Sequence, residues 1–262
     1  MPRTDAERAV LTDGTGRPVL RFRRGERSGR PAVFDPEVVG PDPVGAILDR
    51  LPGWVVVAPV GLGKRLAARG AAVLRHAHEL RRDLAADPPP AAWAGLGAGP
   101  GYRLTPCDRP AADLLPAWRA AYPAGHPDHL DGPRGAEELA ELLAGRLLGP
   151  LLPGSGLAVE RTGRVAAALL VHDWEGLAWV GQVFRDPAPA HAGLGALLLR
   201  RGLARTAADG WPAMGLAVSD GNPARGLYER LGFTLVSSAL TVVVPGRSAD
   251  AAGPLPDGER AR

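Results

Sequence analysis

Residues Asn222 to Phe233, NPARGLYERLGF, decide the fold of this chain. Asparagine at the end of a strand caps the turn into a helix, and Pro223 suits the first helical position, where a missing N–H costs nothing. Gly232 suits the end of that helix, and Phe233 leads into a run rich in β-branched residues. The segment therefore predicts a strand-to-helix turn, a short helix and a final strand.

A second signal lies upstream, at Gly193-Leu194-Gly195. These glycines open an amphipathic helix, and the strand predicted before it ends at Asp186-Pro187. The start of a helix offers unpaired backbone N–H groups and a partial positive charge, and glycines there let a phosphate approach the main chain closely. A tight turn explains an isolated glycine pair equally well, so the weight of this signal comes from its setting.

The pattern of apolar residues predicts an α/β (α+β) fold. Between 101 and 245 the order is strand, two helices, three strands, helix, strand, helix, strand, which indicates a mixed central sheet flanked by helices. A segment rich in Pro, Ala and Gly, 91–100, is interpreted as a linker that separates this domain from a smaller N-terminal α/β region, 1–90. The tail 246–262 has little to bury and is expected to be disordered.

Composition excludes several classes of protein. The 262 residues are 45% hydrophobic and 23% charged, with a net charge of +3 and one cysteine, Cys107. One thiol excludes an intramolecular disulfide, and no apolar run approaches the roughly 20 residues that span a bilayer. The basic cluster from Arg21 to Arg30 lacks the aromatic residues of an RNA-binding strand. We expect a cytoplasmic protein with no membrane and no nucleic-acid partner.

Together the two motifs resemble the acyl-CoA-binding half of the GCN5-related N-acetyltransferase (GNAT) family, over about residues 100–245. That family places a proline after its central strand, followed by Arg or Gln, two residues, Gly, one residue, and Gly or Ala. Pro187, Gly193 and Gly195 fall in register with this pattern. Ala190 occupies the Arg or Gln position, which removes a side-chain contact to pyrophosphate but leaves the main-chain donors up to Ala196.

The resemblance implies a site for acetyl-CoA as co-substrate. Asn222 would lie beside the pantetheine arm, and Tyr228 would lie near the sulfur as the general acid. The ordinary pKa of a phenol, about 10, exceeds that of a thiol, about 8.5, so full proton transfer would be mildly uphill. A helix tyrosine packed against the sheet is the alternative for Tyr228. The implied cofactor-binding residues are Val183, Phe184, Arg185, Ala190, His191, Ala192, Gly193, Leu194, Gly195, Ala196, Asn222 and Tyr228.

Some roles stay open in the sequence. His191 is either a substitute phosphate donor or a solvated loop histidine. The central strand offers Gly181 and Gln182 where the family often has an acid, so no general base is named. The segment HPDH, His126 to His129, has ligand atoms but no helix to fix their geometry, and we expect no metal site. Cys107 lacks a nearby histidine and is interpreted as a buried thiol.

The N-terminal region weakly echoes the last elements of the chain. Gly53 to Pro59 is predicted to be a strand, Leu62 to Arg69 a helix, and Ala72 to Leu84 a strand or a helix. The hypothesis is that 1–90 is a degenerate partial acetyltransferase module. Continuation of the last segment as a helix, giving an unrelated cap, is the alternative.

The sequence thus predicts an acyltransferase that moves an acetyl group from acetyl-CoA to a primary amine, on a small molecule or a protein, by direct attack in a ternary complex. A non-catalytic acyl-CoA-binding sensor or partner protein is the alternative. The acceptor, the preferred acyl chain and a homodimer are left open.

Overall fold

A computed structural model describes residues 8–27, 29–130 and 132–246 of the chain. The tail predicted to be disordered therefore lies outside the described residues, except for Gly246. Within the described ranges, no helix combines the length and the apolar character needed to cross a lipid bilayer.

The chain divides into two compact units. Among the described residues, the C-terminal unit comprises 78–237, and the N-terminal unit comprises 8–77 together with 238–246. The predicted linker, 91–100, lies inside the C-terminal unit rather than at the division. The N-terminal unit therefore combines two separate parts of the chain, and the C-terminal unit begins before the predicted boundary at residue 90. Local periodicity of apolar residues does not reveal either feature.

The N-terminal unit is an α/β structure. Its elements are β1 (Ala9–Thr12), β2 (Pro18–Arg27), β3 (Arg30–Val38), α1 (Pro43–Arg50), β4 (Val55–Pro59), α2 (Val60–Ala67), the first half of β5 (Ala72–Asp83) and the second half of β11 (Thr234–Val243). Its strands are ordered β1-β2-β3-β4-β11. Strand β11 pairs antiparallel with β4 from Ala239↔Pro59 to Val243↔Val55. Leu20, Ile47 and Leu66 are fully buried in its core.

The C-terminal unit has the predicted order of elements. They are β6 (Tyr102–Thr105), α3 (Ala111–Ala121), α4 (Gly132–Leu143), β7 (Gly156–Glu160), β8 (Val165–Trp174), β9 (Leu177–Arg185), α5 (Leu194–Ala208), β10 (Ala213–Ser219), α6 (Arg225–Arg230) and β11. The strands are ordered β5-β10-β9-β8-β7-β6. A mixed sheet flanked by helices confirms the predicted fold class.

Helices cover both faces of this sheet because successive strand residues point to opposite sides. On one face, Leu169 of β8 packs with Leu199 and Leu203 of α5. On the other, Leu170 of β8 packs with apolar residues of α3 and α4, including Leu114. Burial on both faces explains why β8 is apolar along nearly its whole length.

The predicted linker is packed rather than free. Ala91–Gly95 form a 3₁₀ turn, and the ring of Trp93 lies 5.8 Å from the guanidinium carbon of Arg82 and 5.7 Å from that of Arg200. Arg201 also donates a hydrogen bond to the carbonyl of Leu96. Cation–π contacts of this kind stabilise a segment that has no apolar periodicity of its own. The sequence predicts a linker here and does not single out Trp93 as its anchor.

The segment Ala72–Asp83 is a strand, which excludes the helical alternative. Two stretches of the chain now show the same order of elements: β2-β3-α1-β4-α2-β5 and β8-β9-α5-β10-α6-β11. In each stretch the first two strands pair antiparallel, and the second and third pair parallel around the intervening helix. The repeat remains a hypothesis, and this shared order is what it predicts.

Candidate functional site

A cleft opens where two parallel strands of the C-terminal unit part. Strands β9 and β10 pair only through Ala178↔Met214, Trp179↔Gly215 and Val180↔Leu216. In the antiparallel ladder with β8, Val171 pairs with Val180 but Leu170 pairs with Gln182, so Gly181 is the extra residue of a β-bulge. The bulge bends β9 at the point where its pairing with β10 stops.

Backbone groups of β9 beyond the bulge alternate between β8 and the cleft. The N–H of Asp186 donates to the carbonyl of Ala166 on β8, at 2.8 Å. Because the direction alternates with each residue, Phe184 also faces β8, whereas Val183 and Arg185 face the cleft. Of the three predicted pantetheine partners, Val183 and Arg185 are therefore suitably oriented. Phe184 instead buries its ring among the residues of α3 and α4.

The start of α5 presents free backbone donors, as the glycine pair predicts. Gly193 is the N-cap residue at φ 84°, ψ −15°, and no side chain caps the helix. The N–H of Leu197 donates to Gly193, so the N–H groups of Leu194, Gly195 and Ala196 have no acceptor among the described residues. A Cβ added at Gly193 or Gly195 would have no heavy atom within 4 Å. Three unpaired donors thus lie at the positive end of the helix, beside two glycines with open space around them.

Part of the predicted cradle is occupied by the turn that precedes α5. The N–H of His191 donates to Ala188, at 2.9 Å, and the N–H of Ala192 donates to Pro189, at 3.1 Å. These two N–H groups form hydrogen bonds within the turn itself and are not available to a phosphate. His191 and Ala192 are therefore removed from the run of donors that the sequence predicts from Ala190 to Ala196.

The imidazole of His191 lies inside the protein, with 4% of the residue exposed. Its Nδ1 lies 2.8 Å from the hydroxyl of Tyr102, and its Nε2 lies 2.9 Å from Nη2 of Arg164. Both ring nitrogens are engaged by other side chains, so this arrangement offers neither a direct phosphate donor nor a solvated loop histidine. Burial of a polar ring demands such partners, and they come from segments that the local sequence does not show.

Asn222 caps the turn after β10, as predicted. Its Oδ1 accepts from the N–H of Ala224 at 2.8 Å, while its Nδ2 donates to Asp128 at 2.7 Å. Ser219 donates to the other carboxylate oxygen of Asp128, at 2.5 Å. Asp128 belongs to the loop between α3 and α4, and 94 residues separate it from Asn222. Sequence reasoning missed this link because nothing local pairs residues so far apart.

The histidines beside Asp128 serve the loop. Nδ1 of His126 accepts from the N–H of Asp128, at 3.0 Å, and Nδ1 of His129 lies 2.8 Å from the carbonyl of Tyr122. The hydroxyl of Tyr122 in turn donates to the carbonyl of Val183 on β9, at 3.0 Å, and lies 3.2 Å from Oε1 of Gln182. Tyr122 is a second residue at the cleft that the sequence does not single out.

Tyr228 on α6 is buried, with 7% of the residue exposed, and its ring packs edge-on against Phe233. Burial, with a smaller contribution from the charge of Asp128, raises the pKa of its hydroxyl well above the ordinary value. The phenol therefore stays protonated at neutral pH and can donate a hydrogen bond. Complete transfer of its proton to a thiolate is more uphill than the ordinary pKa implies.

Two other expectations concern acid–base and nucleophilic groups. Strand β9, Leu177–Arg185, carries no acidic residue, so it supplies no general base. Burial, and to a lesser extent the charge of Asp108, raises the pKa of the Cys107 thiol to about 12. A thiol that stays protonated is a poor nucleophile. Cys107 is half-buried, rather than fully buried as the sequence predicts.

The comparisons with known proteins agree with this geometry. Residues 113–233 match the model of the Acetyltransferase (GNAT) family. A GCN5-related N-acetyltransferase from Sphaerobacter thermophilus is similar in structure, with a TM-score of 0.59, 19% identity, and coverage of 88% of this chain and 79% of that chain. No curated protein matches the sequence.

Two further solved structures have the same fold. A tandem GNAT protein from the clavulanic acid biosynthesis pathway has a TM-score of 0.53 and 20% identity, over 89% of this chain and 81% of that chain. A GCN5-related N-acetyltransferase from Kribbella flavida has a TM-score of 0.51 and 15% identity, over 86% of this chain and 90% of that chain. These matches include the N-terminal unit. The chain therefore has the GNAT fold, and residues 113–233 form a domain of the acetyltransferase (GNAT) family.

Proposed function

We propose that the protein transfers an acetyl group from acetyl-CoA to a primary amine, by direct attack within a ternary complex. The observation that carries this proposal is the meeting of two features: the parted strands β9 and β10, and the uncapped start of α5. An extended chain with amide groups can pair with the free edge of β9, and a diphosphate suits the three unpaired N–H groups of Leu194 to Ala196. Acyl-CoA carries both groups in one molecule.

The reaction requires little from the protein beyond orientation and hydrogen bonds. The neutral nitrogen of the amine attacks the thioester carbonyl carbon, a C–N bond forms, the C–S bond breaks, and CoA leaves as a thiolate. The nitrogen loses one proton and the sulfur gains one, so the products are an amide and the free thiol. Tyr228 donates a hydrogen bond to the sulfur as its negative charge develops. No protein base is assigned, and the amine loses its proton to water.

The acceptor side of the proposal rests on the loop between α3 and α4. Asp128 places a carboxylate beside Asn222 and Tyr228, and Tyr122 reaches the strand that faces the cleft. A negative charge at this position attracts an amine, which is cationic in water before it reacts. The size of the acceptor, whether small molecule or protein, is not specified by these contacts.

We assign no acetyl-CoA site to the N-terminal unit. Its helix α1 starts, like α5, from an N-cap residue in the left-handed region, but that residue is Asp42, at φ 44°, and its carboxylate accepts from the N–H of Gly45 at 2.9 Å. A carboxylate here fills the place where a phosphate would bind and repels it. This favours the hypothesis of a degenerate acetyltransferase module, and the tandem GNAT protein of similar fold is consistent with it.

The test combines binding with turnover. Calorimetry is expected to show one CoA bound per chain, and an assay of free thiol with a panel of amines is expected to show CoA release. Tyr228→Phe should lower kcat by about 10-fold while the affinity for CoA stays unchanged, since the phenol acts on the leaving sulfur. Absence of CoA binding would refute the proposal.

A non-catalytic acyl-CoA-binding protein is the second candidate, favoured by the absence of an acid on β9 and by Ala190 in the cradle. Binding of acetyl-CoA without CoA release by any amine of a broad panel would support it. Equal kcat values for the unmodified protein and Tyr228→Phe would also count against the assigned role of the phenol.

A further inference from the structure

Five side chains form a connected network behind the turn that precedes α5. They belong to three separate parts of the C-terminal unit: β6, the hairpin of β7 and β8, and the turn itself. Each has at least two polar contacts within the network or to the backbone of the turn, and the second contact of Glu160 is with Nε2 of His191, at 3.3 Å. The members are Tyr102, Glu160, Arg164, Asp186 and His191.

Arg164 is the centre of this network. Its Nη1 donates to Asp186 at 2.7 Å, and its Nη2 lies 2.8 Å from Glu160 and 2.9 Å from Nε2 of His191. These two carboxylates, Glu160 first, raise the pKa of the guanidinium. The other oxygen of Asp186 accepts from the N–H of Ala188, at 2.9 Å. A single charged network therefore fixes the beginning of the turn.

Tyr102 fixes the end of the same turn. Its hydroxyl donates to the carbonyl of Ala190 at 2.7 Å and lies 2.8 Å from Nδ1 of His191. One arrangement of hydrogen bonds fits the contacts with Tyr102 and Arg164: Nδ1–H of His191 donates to the hydroxyl oxygen, and Nε2 accepts from Arg164. The rings of Tyr102 and His191 also pack edge-on, with centroids 5.8 Å apart.

We propose that Tyr102, Arg164 and His191 are positioning residues that hold this turn in the conformation needed for a diphosphate to bind the start of α5. This inference rests on the proposed function, because the diphosphate is that of acyl-CoA. Ala190 has no polar side chain that could contact the ligand. Its carbonyl instead accepts a hydrogen bond from the hydroxyl of Tyr102. Preorganisation of backbone donors lowers the entropic cost of binding, so a network beneath the turn can replace a direct contact above it.

The placement of charge agrees with a role behind the turn. Glu160 and Asp186 would repel a phosphate that they faced, but the guanidinium of Arg164 lies between them and neutralises much of their charge. The ring of His191 is buried and contacts the turn, whereas 41% of the Arg164 side chain is exposed. Tyr102 and His191 therefore act on a ligand through the backbone of the turn.

The experiment compares ligands that contain or lack the diphosphate. Tyr102→Phe removes one oxygen atom and keeps the ring. We expect it to weaken the binding of CoA by about 3- to 10-fold while the binding of pantetheine, measured by competition, is unchanged. Tyr122→Phe is the matched control, because its hydroxyl contacts Val183 on β9 and not the turn. This control should leave the affinity for ADP, a diphosphate without pantetheine, at the unmodified value, whereas Tyr102→Phe should lower it.

A second variant guards against a general loss of structure. His191→Gln keeps a polar group near Arg164 but removes the contact with Tyr102, and it should reproduce the selective loss for CoA and ADP. Equal CoA affinity in both variants and the unmodified protein would overturn this inference alone. Parallel weakening of CoA and pantetheine would also overturn it, since a merely structural role has no preference for the diphosphate. An unmodified protein that binds no CoA would overturn both this inference and the proposed function.

Discussion

Three glycines of one segment should respond to the same substitution, Gly→Ala, in three different ways. Gly193 has φ 84°, where a residue with a Cβ costs about 1–2 kcal/mol. Gly195 lies in the first turn of α5 with open space around it, so alanine should stabilise the protein by up to about 0.5–1 kcal/mol. At Gly202, a Cβ would overlap Cδ2 of Leu169 and lie 3.0 Å from the carbonyl of Gly154. Overpacking of this kind costs about 1–3 kcal/mol.

Binding should separate these effects. Gly193→Ala forces the N-cap out of its conformation and turns the donors of Leu194 to Ala196 away from the ligand. Loss of one or two charge-assisted hydrogen bonds should weaken CoA binding by about 10-fold or more. Gly195→Ala and Gly202→Ala should bind CoA within about 2-fold of the unmodified protein, because neither changes the direction of these N–H groups.

The assay is thermal unfolding together with calorimetric titration of CoA. In a domain of this size, 1 kcal/mol shifts Tm by about 2–4 °C, so Gly195→Ala should raise Tm while the other two variants lower it. Gly202→Ala is the control, since it is destabilised but lies away from the free donors. Unchanged CoA affinity in Gly193→Ala, with Tm lowered as expected, would refute the assignment of the cradle.

Two more predictions follow from the network and the acceptor loop. Asp128→Asn removes the negative charge of the side chain that accepts hydrogen bonds from Ser219 and Asn222. It should raise KM for the amine by about 3- to 10-fold without changing the affinity for CoA. A change in the affinity for CoA alone would contradict the role given to Asp128. A hydrogen bond from the N–H of Ala188 lowers the pKa of Asp186, and Arg164 makes a smaller contribution in the same direction. Arg164 also lowers the pKa of Glu160. Because both pKa values lie below those of the unfolded chain, the stabilisation is fully present above about pH 5 and is lost as the pH falls further. Urea unfolding should therefore show Arg164→Gln less stable than the unmodified protein at neutral pH, with the difference shrinking at about pH 3; a difference independent of pH would refute the ionic origin.

The elements of the C-terminal unit could be predicted because their signals are local. Helix α5 begins at Leu194, directly after Gly193, and the strand before it ends at Arg185, close to Asp186-Pro187. Residues that cap and end helices act within one turn of the chain, so a single sequence contains them. The contacts at 91–100 have no such local signal, because Trp93 is held by arginines from other segments of the chain.

Site residues divide in the same way. The donors at the start of α5 follow from Gly193 and its neighbours, and the cap at Asn222 follows from the turn it begins. The partners of His191 do not, because Tyr102 is 89 residues away in sequence and Arg164 is 27. From the sequence alone, direct contact of His191 with a phosphate is one of two expectations. The tertiary structure shows both ring nitrogens in contact with other side chains.

By itself, the sequence determined the order of strands and helices, the glycine-opened start of α5 and the family of the domain, because short-range backbone preferences and apolar periodicity carry that information. Tertiary structure alone decided where β9 and β10 part, which carboxylate lies beside Asn222, and which side chains support the turn before α5. Those features depend on contacts between segments far apart in the chain, and such contacts form only when burial brings the segments together.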